Sequence, residues 1–353
     1  MKKILVGLIV IFGVAILLAT LVIFSGLGFF YQYLDQFSHG AQLSKTQIIS
    51  NFLTYQKVSQ KSQEPEKVWL MLGIDSLPGR GQQPPLTDSI LLVRFNPQKN
   101  SITTLSLPRD IYLDSQKAKI NSIYAEALNR QKTNAQINPQ EEVKQKVAEF
   151  TGVSINRVII FTMEDVASLV DDLGGLSIDV QNPFIDPLFP RPEVDVTKVK
   201  DPKALYEIVE FKAGTQIMDG NRILQYVRSR HATGIEGTDL ARNARQQQVI
   251  AALVNKLTDI SLFGSPEKLG NLYRFYLDRF AVSIPIDQLI ALAISFGQNR
   301  QVPQIMRSSI SVYPESPDGL LYHPPEYRYG GAWVFAVRDL KKLQNFIQQD
   351  LSL

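Results

Sequence analysis

The stretch ILLVRFNPQKNSITTLSL, residues 90–107, reads as two strands joined by a turn. Ile90–Phe95 and Ser101–Leu107 have the apolar and β-branched character of strands, and Asn96-Pro97-Gln98-Lys99-Asn100 between them gathers the residues that make turns. Working outward, VWLMLGI at Val68–Ile74 is a third apolar run of strand length. Three such runs in quick succession predict an antiparallel meander. In a meander the end of the first strand, the start of the second and the end of the third share one edge. Asp75, Asp88 and Arg109 hold those positions, so the topology predicts two carboxylates and an arginine at one rim.

Beyond Arg109 the pattern alternates. Helical periodicity covers Ser122–Arg130 and Pro139–Thr151, a strand follows at Arg157–Phe161, a helix at Glu164–Leu173 and a strand at Leu176–Val180. Alternation of this kind predicts an α/β fold, a central mixed β-sheet sandwiched by helices. The segment from Asn182 to Lys212 carries Pro183, Pro187, Pro190, Pro192 and Pro202 and reads as a long loop, either a lid or acceptor groove or plain surface decoration. Helices are expected at Asp219–Val227, from Asp239 to Thr258, and at Pro266–Asp278 and Ile286–Phe296. A strand near Pro303–Ser308 and a closing strand and helix over Trp333–Ser352 complete the chain. No boundary is legible inside residues 67–353, which are read as one domain.

Upstream, Met1-Lys2-Lys3 precedes an almost uninterrupted apolar run from Ile4 to Phe30, longer than the roughly 20 residues that span a bilayer as a helix. A cleaved signal peptide has a shorter apolar core and a small-residue cleavage site, and no convincing one stands here. Residues 1–30 are therefore read as a cytoplasmic tip and a single uncleaved transmembrane anchor. Lys2 and Lys3 hold the N-terminus in the cytoplasm and place the rest outside the cell membrane. Residues 31–66, polar and Gln/Ser-rich with a helical pattern over Ser44–Val58, read as a juxtamembrane stalk.

With 44% hydrophobic and 20% charged residues the chain is globular, and a formal charge of +3 is too mild for a nucleic-acid binder. The absence of cysteine excludes disulfides and thiol chemistry. His39, His231 and His323 lack metal-ligand spacing, there is no GxxxxGK[ST] or HExxH, and Ser106 and Ser229 stand in no Ser/His/Asp pattern.

Local charge is more informative. YVRSRHATGIEGTDLARNARQQ, Tyr226–Gln247, packs Arg228, Arg230, Arg242 and Arg245 into a short span. If Gly234 and Gly237 form a loop and Thr238 or Asp239 caps a helix, Arg242, Arg245 and Gln246 lie on neighbouring turns. The apolar stripe Val249, Leu253, Leu257 continues that face, so Arg242 and Gln246 are expected to begin the inward side and to need a counter-charge there. Arginines set against Asp75 and Asp88 are reconciled by a pyrophosphate with a divalent cation: carboxylates hold the metal, and guanidinium groups take phosphate oxygens. Ordinary salt bridges would use the same residues.

These residues resemble the LytR-CpsA-Psr family of membrane-anchored cell-wall enzymes. The matching segments are LGID (Leu72–Asp75), TDSILLV (Thr87–Val93), LSLPRDIYL (Leu105–Leu113), KIN (Lys119–Asn121), LVDDLGGLSIDV (Leu169–Val180), MDGNRILQYVRSR (Met218–Arg230) and DLARNARQQQ (Asp239–Gln248). The resemblance implies a phosphotransferase that moves an anionic glycopolymer from a polyprenyl-pyrophosphate carrier to a peptidoglycan sugar hydroxyl. It assigns Asp75 and Asp88 to Mg²⁺ or Mn²⁺, and Arg109, Arg228, Arg230, Arg242 and Gln246 to the pyrophosphate. Arg245 and Asp239 belong to the same motif, Arg245 being counted with the pyrophosphate contacts, and Val249 and Leu253 are candidates either for the wall of a lipid tunnel or for an ordinary core. Leu77 and Leu86 stand where the family commonly has arginines, with Arg80 the nearby substitute. A tethered binding module without turnover and a lipid pyrophosphate hydrolase are the competing readings.

Overall fold

The computed structural model describes residues 27–59, 67–74, 85–191, 194, 199, 201–257, 259–297, 303–313 and 316–351. In chain order its first elements are helices α1 (Leu27–Ala41) and α2 (Lys45–Ser59), strands β1 (Val68–Ile74), β2 (Thr87–Asn96) and β3 (Ser101–Leu107), helices α3 (Ile123–Thr133) and α4 (Pro139–Thr151), strand β4 (Arg157–Thr162) and helix α5 (Met163–Asp172). Then come strands β5 (Leu176–Val180), β6 (Phe184–Pro190), β7 (Tyr206–Phe211) and β8 (Gly214–Met218), and helices α6 (Gly220–Arg228), α7 (Asp239–Leu257), α8 (Pro266–Arg279) and α9 (Ile286–Gly297). Strand β9 (Gln304–Ser309) and helix α10 (Leu340–Asp350) close the chain.

Two compact units carry these elements. One holds residues 27–59 and the described part of 163–297; the other holds 67–74, 85–162 and 303–351. The boundary at Thr162/Met163 falls where β4 runs directly into α5. No glycine or proline marks it, so a composition reading sees one domain over 67–353.

The second unit is built on a five-stranded mixed sheet in the order β9-β3-β2-β1-β4. The meander is present: β1 pairs antiparallel with β2, and β2 with β3. The turn closes as its residues require, with the Asn96 side chain accepting from the Lys99 amide at 3.1 Å and Asn100 in the left-handed region at φ 45°. The edge strands β4 and β9 run parallel to β1 and β3, which makes the sheet mixed. One sheet face, with Leu70, Leu72, Ile90, Leu92 and Leu105, forms a single core with Val143 and Val147 of α4 and Leu343 and Ile347 of α10. Residues of the opposite face, Trp69, Met71, Leu91 and Val93, are buried as well. A strand buried on both faces explains the unbroken apolar runs seen in the sequence.

The first unit is mainly helical, with two small antiparallel ladders, β5 with β8 and β6 with β7. The second ladder corrects the reading of 182–212 as one long loop. Phe184 and Phe189 of β6 and Val209 and Phe211 of β7 are buried, an alternation that its prolines conceal. Pro187 falls within the register shift between Asp186 and Phe189, where a ladder tolerates a residue without an amide hydrogen.

Residues 31–41, read as the start of a stalk, belong to a packed helix. A Cβ on Gly40 of α1 would stand 2.0 Å from the Glu267 carbonyl oxygen, and one on Gly270 of α8 would stand 2.3 Å from the Phe37 carbonyl oxygen. The two helices thus touch backbone to backbone, with Phe37 against Tyr273 at 5.8 Å between ring centroids. Among the described residues no helix is long and apolar enough to cross a membrane. The expected anchor lies outside them as far as residue 26.

Candidate functional site

Two groups of charged side chains stand out, one in each unit. In the sheet unit the register of β1 on β2 steps from Gly73↔Ser89 to Ile74↔Thr87. Asp88 is the extra residue of this bulge, a device that re-aims a side chain at a sheet edge. Thr87 beside it is fully buried, its hydroxyl donating to the Asn121 carbonyl at 3.2 Å. Arg109, two residues past β3, donates from Nη1 to Asp88 Oδ1 at 2.7 Å and from Nε to Asp110 Oδ2 at 3.3 Å. Asp110 also pairs with Lys119 Nζ at 2.7 Å. The meander therefore does bring Asp88 and Arg109 together. Asp75, with Leu77 and Arg80, lies outside the described residues, and Leu86 is exposed.

Burial works against the charge of Arg109, but Asp88 and Asp110 outweigh it and hold the guanidinium above its ordinary range. The pair remains open to solvent, Arg109 44% and Asp88 33% exposed. Such an exposed ion pair is worth only about 0–1 kcal/mol. An arriving phosphate can therefore compete for Arg109.

In the helical unit the arginine-bearing segment 226–231 is gripped from two sides. Arg245, 3% exposed, donates from Nε to the Tyr226 carbonyl at 2.9 Å and from Nη2 to the Ser229 carbonyl at 2.7 Å. Its Nη1 serves Glu236 twice, the carbonyl oxygen at 2.9 Å and Oε2 at 2.6 Å. Its guanidinium also stacks 4.7 Å from the centroid of Phe184. On the amide side Asp186, fully buried, accepts from the backbone nitrogens of Arg230 at 3.0 Å and His231 at 3.2 Å with Oδ2, and from Leu188 N at 3.0 Å with Oδ1. One buried cation holds the carbonyls and one buried carboxylate holds the amides. What the grip presents is Arg228, at the end of α6 and ion-paired with Glu164 at 3.5 Å, and the exposed Arg230.

Two sequence expectations change here. The inward stripe of α7 is Ala241, Arg245, Val249, Leu253 and Leu257, all buried, while Arg242 and Gln246 sit half-buried on its flank. Arg245, expected among the pyrophosphate contacts, has its donors spent on the protein itself. The counter-charge that an inward arginine demands is present as Glu236, two residues ahead of the Thr238 cap. Thr238 Oγ1 accepts from the Ala241 amide at 3.2 Å, as the cap reading predicts. Asp186 was missed because its segment read as loop; its signal was a carboxylate in the inward register of a Phe184-Asp186-Phe189 alternation. His231 is exposed and Ser229 is buried, its hydroxyl bonded to the Gln225 carbonyl at 3.0 Å.

A family model described as the LytR_cpsA_psr family matches residues 30–328. The chain is 24% identical over 207 residues to the polyisoprenyl-teichoic acid–peptidoglycan teichoic acid transferase TagV of Bacillus subtilis, covering 57% of this chain and 46% of that protein. It is 28% identical over 220 residues to the cell wall biosynthesis protein LcpA of Corynebacterium glutamicum, covering 57% and 38%. The match thus spans about half or less of each of these relatives. The crystal structure of B. subtilis TagV aligns over 82% of this chain and 98% of its own, with a TM-score of 0.52 at 20% identity, and shares the mixed α/β fold.

Proposed function

The chain belongs to the LytR-CpsA-Psr family, and from that premise we propose that it is a membrane-tethered phosphotransferase which moves an anionic glycopolymer from a polyprenyl-pyrophosphate carrier to a peptidoglycan sugar hydroxyl. The relative named as a polyisoprenyl-teichoic acid–peptidoglycan teichoic acid transferase supports this reading. The observation that carries it is the doubly gripped segment 226–231, because guanidinium groups select a pyrophosphate only when their backbone is held still.

In this reading Arg109, Arg228, Arg230, Arg242 and Gln246 contact the pyrophosphate, and Arg245 positions the segment rather than touching substrate. The acceptor oxygen bonds to the glycopolymer-linked phosphorus, the bond to the polyprenyl phosphate breaks, and the acceptor proton passes to a base, either Asp75 or the donor phosphate itself. Guanidinium groups take up the charge spreading over the phosphoryl oxygens. Val249 and Leu253, buried in their unit, would line the path of the polyprenyl chain. The apolar run from Ile4 to Phe30 anchors the chain in the cell membrane with the body outside.

A divalent cation belongs to the proposal. Among the described residues no group of three acidic, His or Cys side chains gathers as a metal cage. Mg²⁺ bound with a phosphate substrate needs only one or two carboxylates, the rest of its octahedron being water and phosphate oxygens. Asp88, with one oxygen engaged by Arg109, fits that role; Asp75, outside the described residues, is the second carboxylate of the proposal. Mg²⁺ or Mn²⁺ held there would neutralise phosphoryl charge.

The test is transfer of a pyrophosphate-linked glycopolymer to peptidoglycan by the purified chain, read as release of polyprenyl phosphate. Arg228→Ala and Asp88→Ala should each cut turnover by about 100-fold or more, as loss of a positioned charge stabiliser does, and chelation of divalent metal should abolish it. Equal turnover by both variants would sink the proposal. Tight lipid binding without product would identify a binding module, and release without an acceptor a hydrolase.

A further inference from the structure

The sheet unit carries an aromatic surface that the transferase reading does not use. His323 packs against both Trp333, at 4.3 Å between ring centroids, and Phe335, at 4.2 Å, in a three-ring cluster. Trp333 meets Phe335 edge-on at 4.9 Å. Nearby in the chain a 3₁₀ turn, Glu326–Tyr329, brings Tyr327, 76% exposed, and Tyr329, whose ring packs on Tyr112 at 4.7 Å. Trp333 is 47% exposed and His323 is exposed. The His323 Nδ1 lies 3.1 Å from the Val334 carbonyl oxygen. A carbonyl only accepts, so Nδ1 carries the hydrogen and Nε2 of the neutral ring is left to accept from a hydroxyl.

The segment carrying Trp333 and Phe335 is knitted to the loop of Arg109. The Phe335 amide donates to the Asp110 carbonyl at 2.9 Å, and the Tyr112 amide donates to the Phe335 carbonyl at 2.9 Å. The aromatic group is thus fixed to the residue that follows Arg109.

We propose that Trp333, His323, Tyr327 and Tyr329 form a saccharide-binding platform that holds an amino-sugar ring of the acceptor glycan. Saccharide binding stands on the aromatic geometry alone; its assignment to the acceptor rests on the transferase reading above. The chemistry selects a sugar. A β-linked pyranose presents a face of axial C–H bonds, which suits the negative face of an aromatic ring, and a rim of equatorial hydroxyls, which suits tyrosine hydroxyls and an imidazole nitrogen. Trp333 and Tyr327 both present an apolar face with a polar tip, which matches the C–H face and hydroxyl rim of a pyranose. A strongly anionic polymer would call for a cationic surface. Here Arg328 is accompanied by Glu326, two residues before it, and by Asp114 near Tyr329, a slight negative excess that suits a glycan backbone of low charge better than a polyanion.

The chain has two tryptophans, and Trp69 is fully buried, so a saturable fluorescence change on adding sugar reports Trp333. Full-length protein in detergent, titrated with chitotetraose, should show that change and a matching calorimetric affinity. Trp333→Ala and Tyr327→Ala should each weaken the calorimetric affinity by about tenfold or more, with the thermal midpoint and the binding of geranylgeranyl pyrophosphate unchanged. Arg228→Ala should do the reverse, losing the pyrophosphate probe and keeping chitotetraose. Absence of saturable binding by the parent chain, or unchanged affinity in both aromatic variants, overturns the platform. Binding of the anionic donor polymer in place of chitotetraose overturns the acceptor assignment. Chitotetraose binding that depends on Trp333 in a chain that transfers nothing keeps the platform and removes the transferase reading.

Discussion

Arg228 and Arg245 belong to one motif and do opposite work. Arg245 is buried with its bonds inside the protein, so Arg245→Ala strands Glu236 and the Tyr226 and Ser229 carbonyls. Breaking such a buried pair costs roughly 3–5 kcal/mol, whereas Arg228→Ala, which removes a part-exposed pair to Glu164, should cost about 1 kcal/mol or less. Urea denaturation followed by circular dichroism separates the two, and equal midpoints would refute the positioning role of Arg245. Asp172 offers a second test. Burial, and secondarily Asp171, pushes its carboxyl from 3.8 up to about 6. Well below the unfolded value of 3.8 the group is neutral both folded and unfolded; as pH rises through 3.8 toward 6 the unfolded chain ionises first, so stability falls through that window and stays lower above it. Asp172→Asn should therefore stabilise the protein by about 1 kcal/mol near pH 7.5, a figure discounted for partial exposure, and by almost nothing near about pH 2.5. Denaturation midpoints at the two pH values read this directly. The arginine motif was legible in the sequence, but the choice of inward arginine was not: Arg242 with Gln246 and Arg245 each continue to Val249 at a helical spacing.

Most elements follow from local pattern. β1 and β3 fall where apolar runs and the Asn-Pro turn place them, and α7 starts at its predicted cap. The β6–β7 ladder did not, because prolines at a register shift look like loop residues until the partner strand is known. The bulge that re-aims Asp88 is likewise a property of pairing: it exists only relative to the register of β1. The α1–α8 contact is the strongest element-level prediction. Gly270→Leu inserts a side chain where the Phe37 carbonyl and the Ala41 amide already stand within 3 Å, so α1 must separate from α8. A loss of about 1–3 kcal/mol or more is expected, with new protease sensitivity confined to residues before Lys45. An unchanged digestion pattern would refute the close approach.

For the molecule as a whole, the apolar run Ile4–Phe30, proposed as the anchor, overlaps the start of α1 at Leu27. Deleting residues 1–26 removes most of the apolar run but leaves α1 and its glycine contact, so the product should leave the membrane fraction and keep the parent's unfolding midpoint. Deleting residues 1–44 also removes buried Leu34 and Ala41 and should lower that midpoint. Equal midpoints for the two truncations would return α1 to the status of a stalk. Short-range information was enough to read the meander, the alternation that follows, the arginine motif and the family, because each is written within a dozen or so neighbouring residues as period, turn chemistry or spacing. Tertiary structure decided what depends on residues far apart in the chain: that Asp186 holds the amides of Arg230 and His231, that Arg245 rather than Arg242 turns inward to Glu236, and that Gly40 lets α1 lie against Gly270. A buried charge must find its partner and a close backbone approach its glycine, and neither requirement leaves a mark until the chain has folded around it.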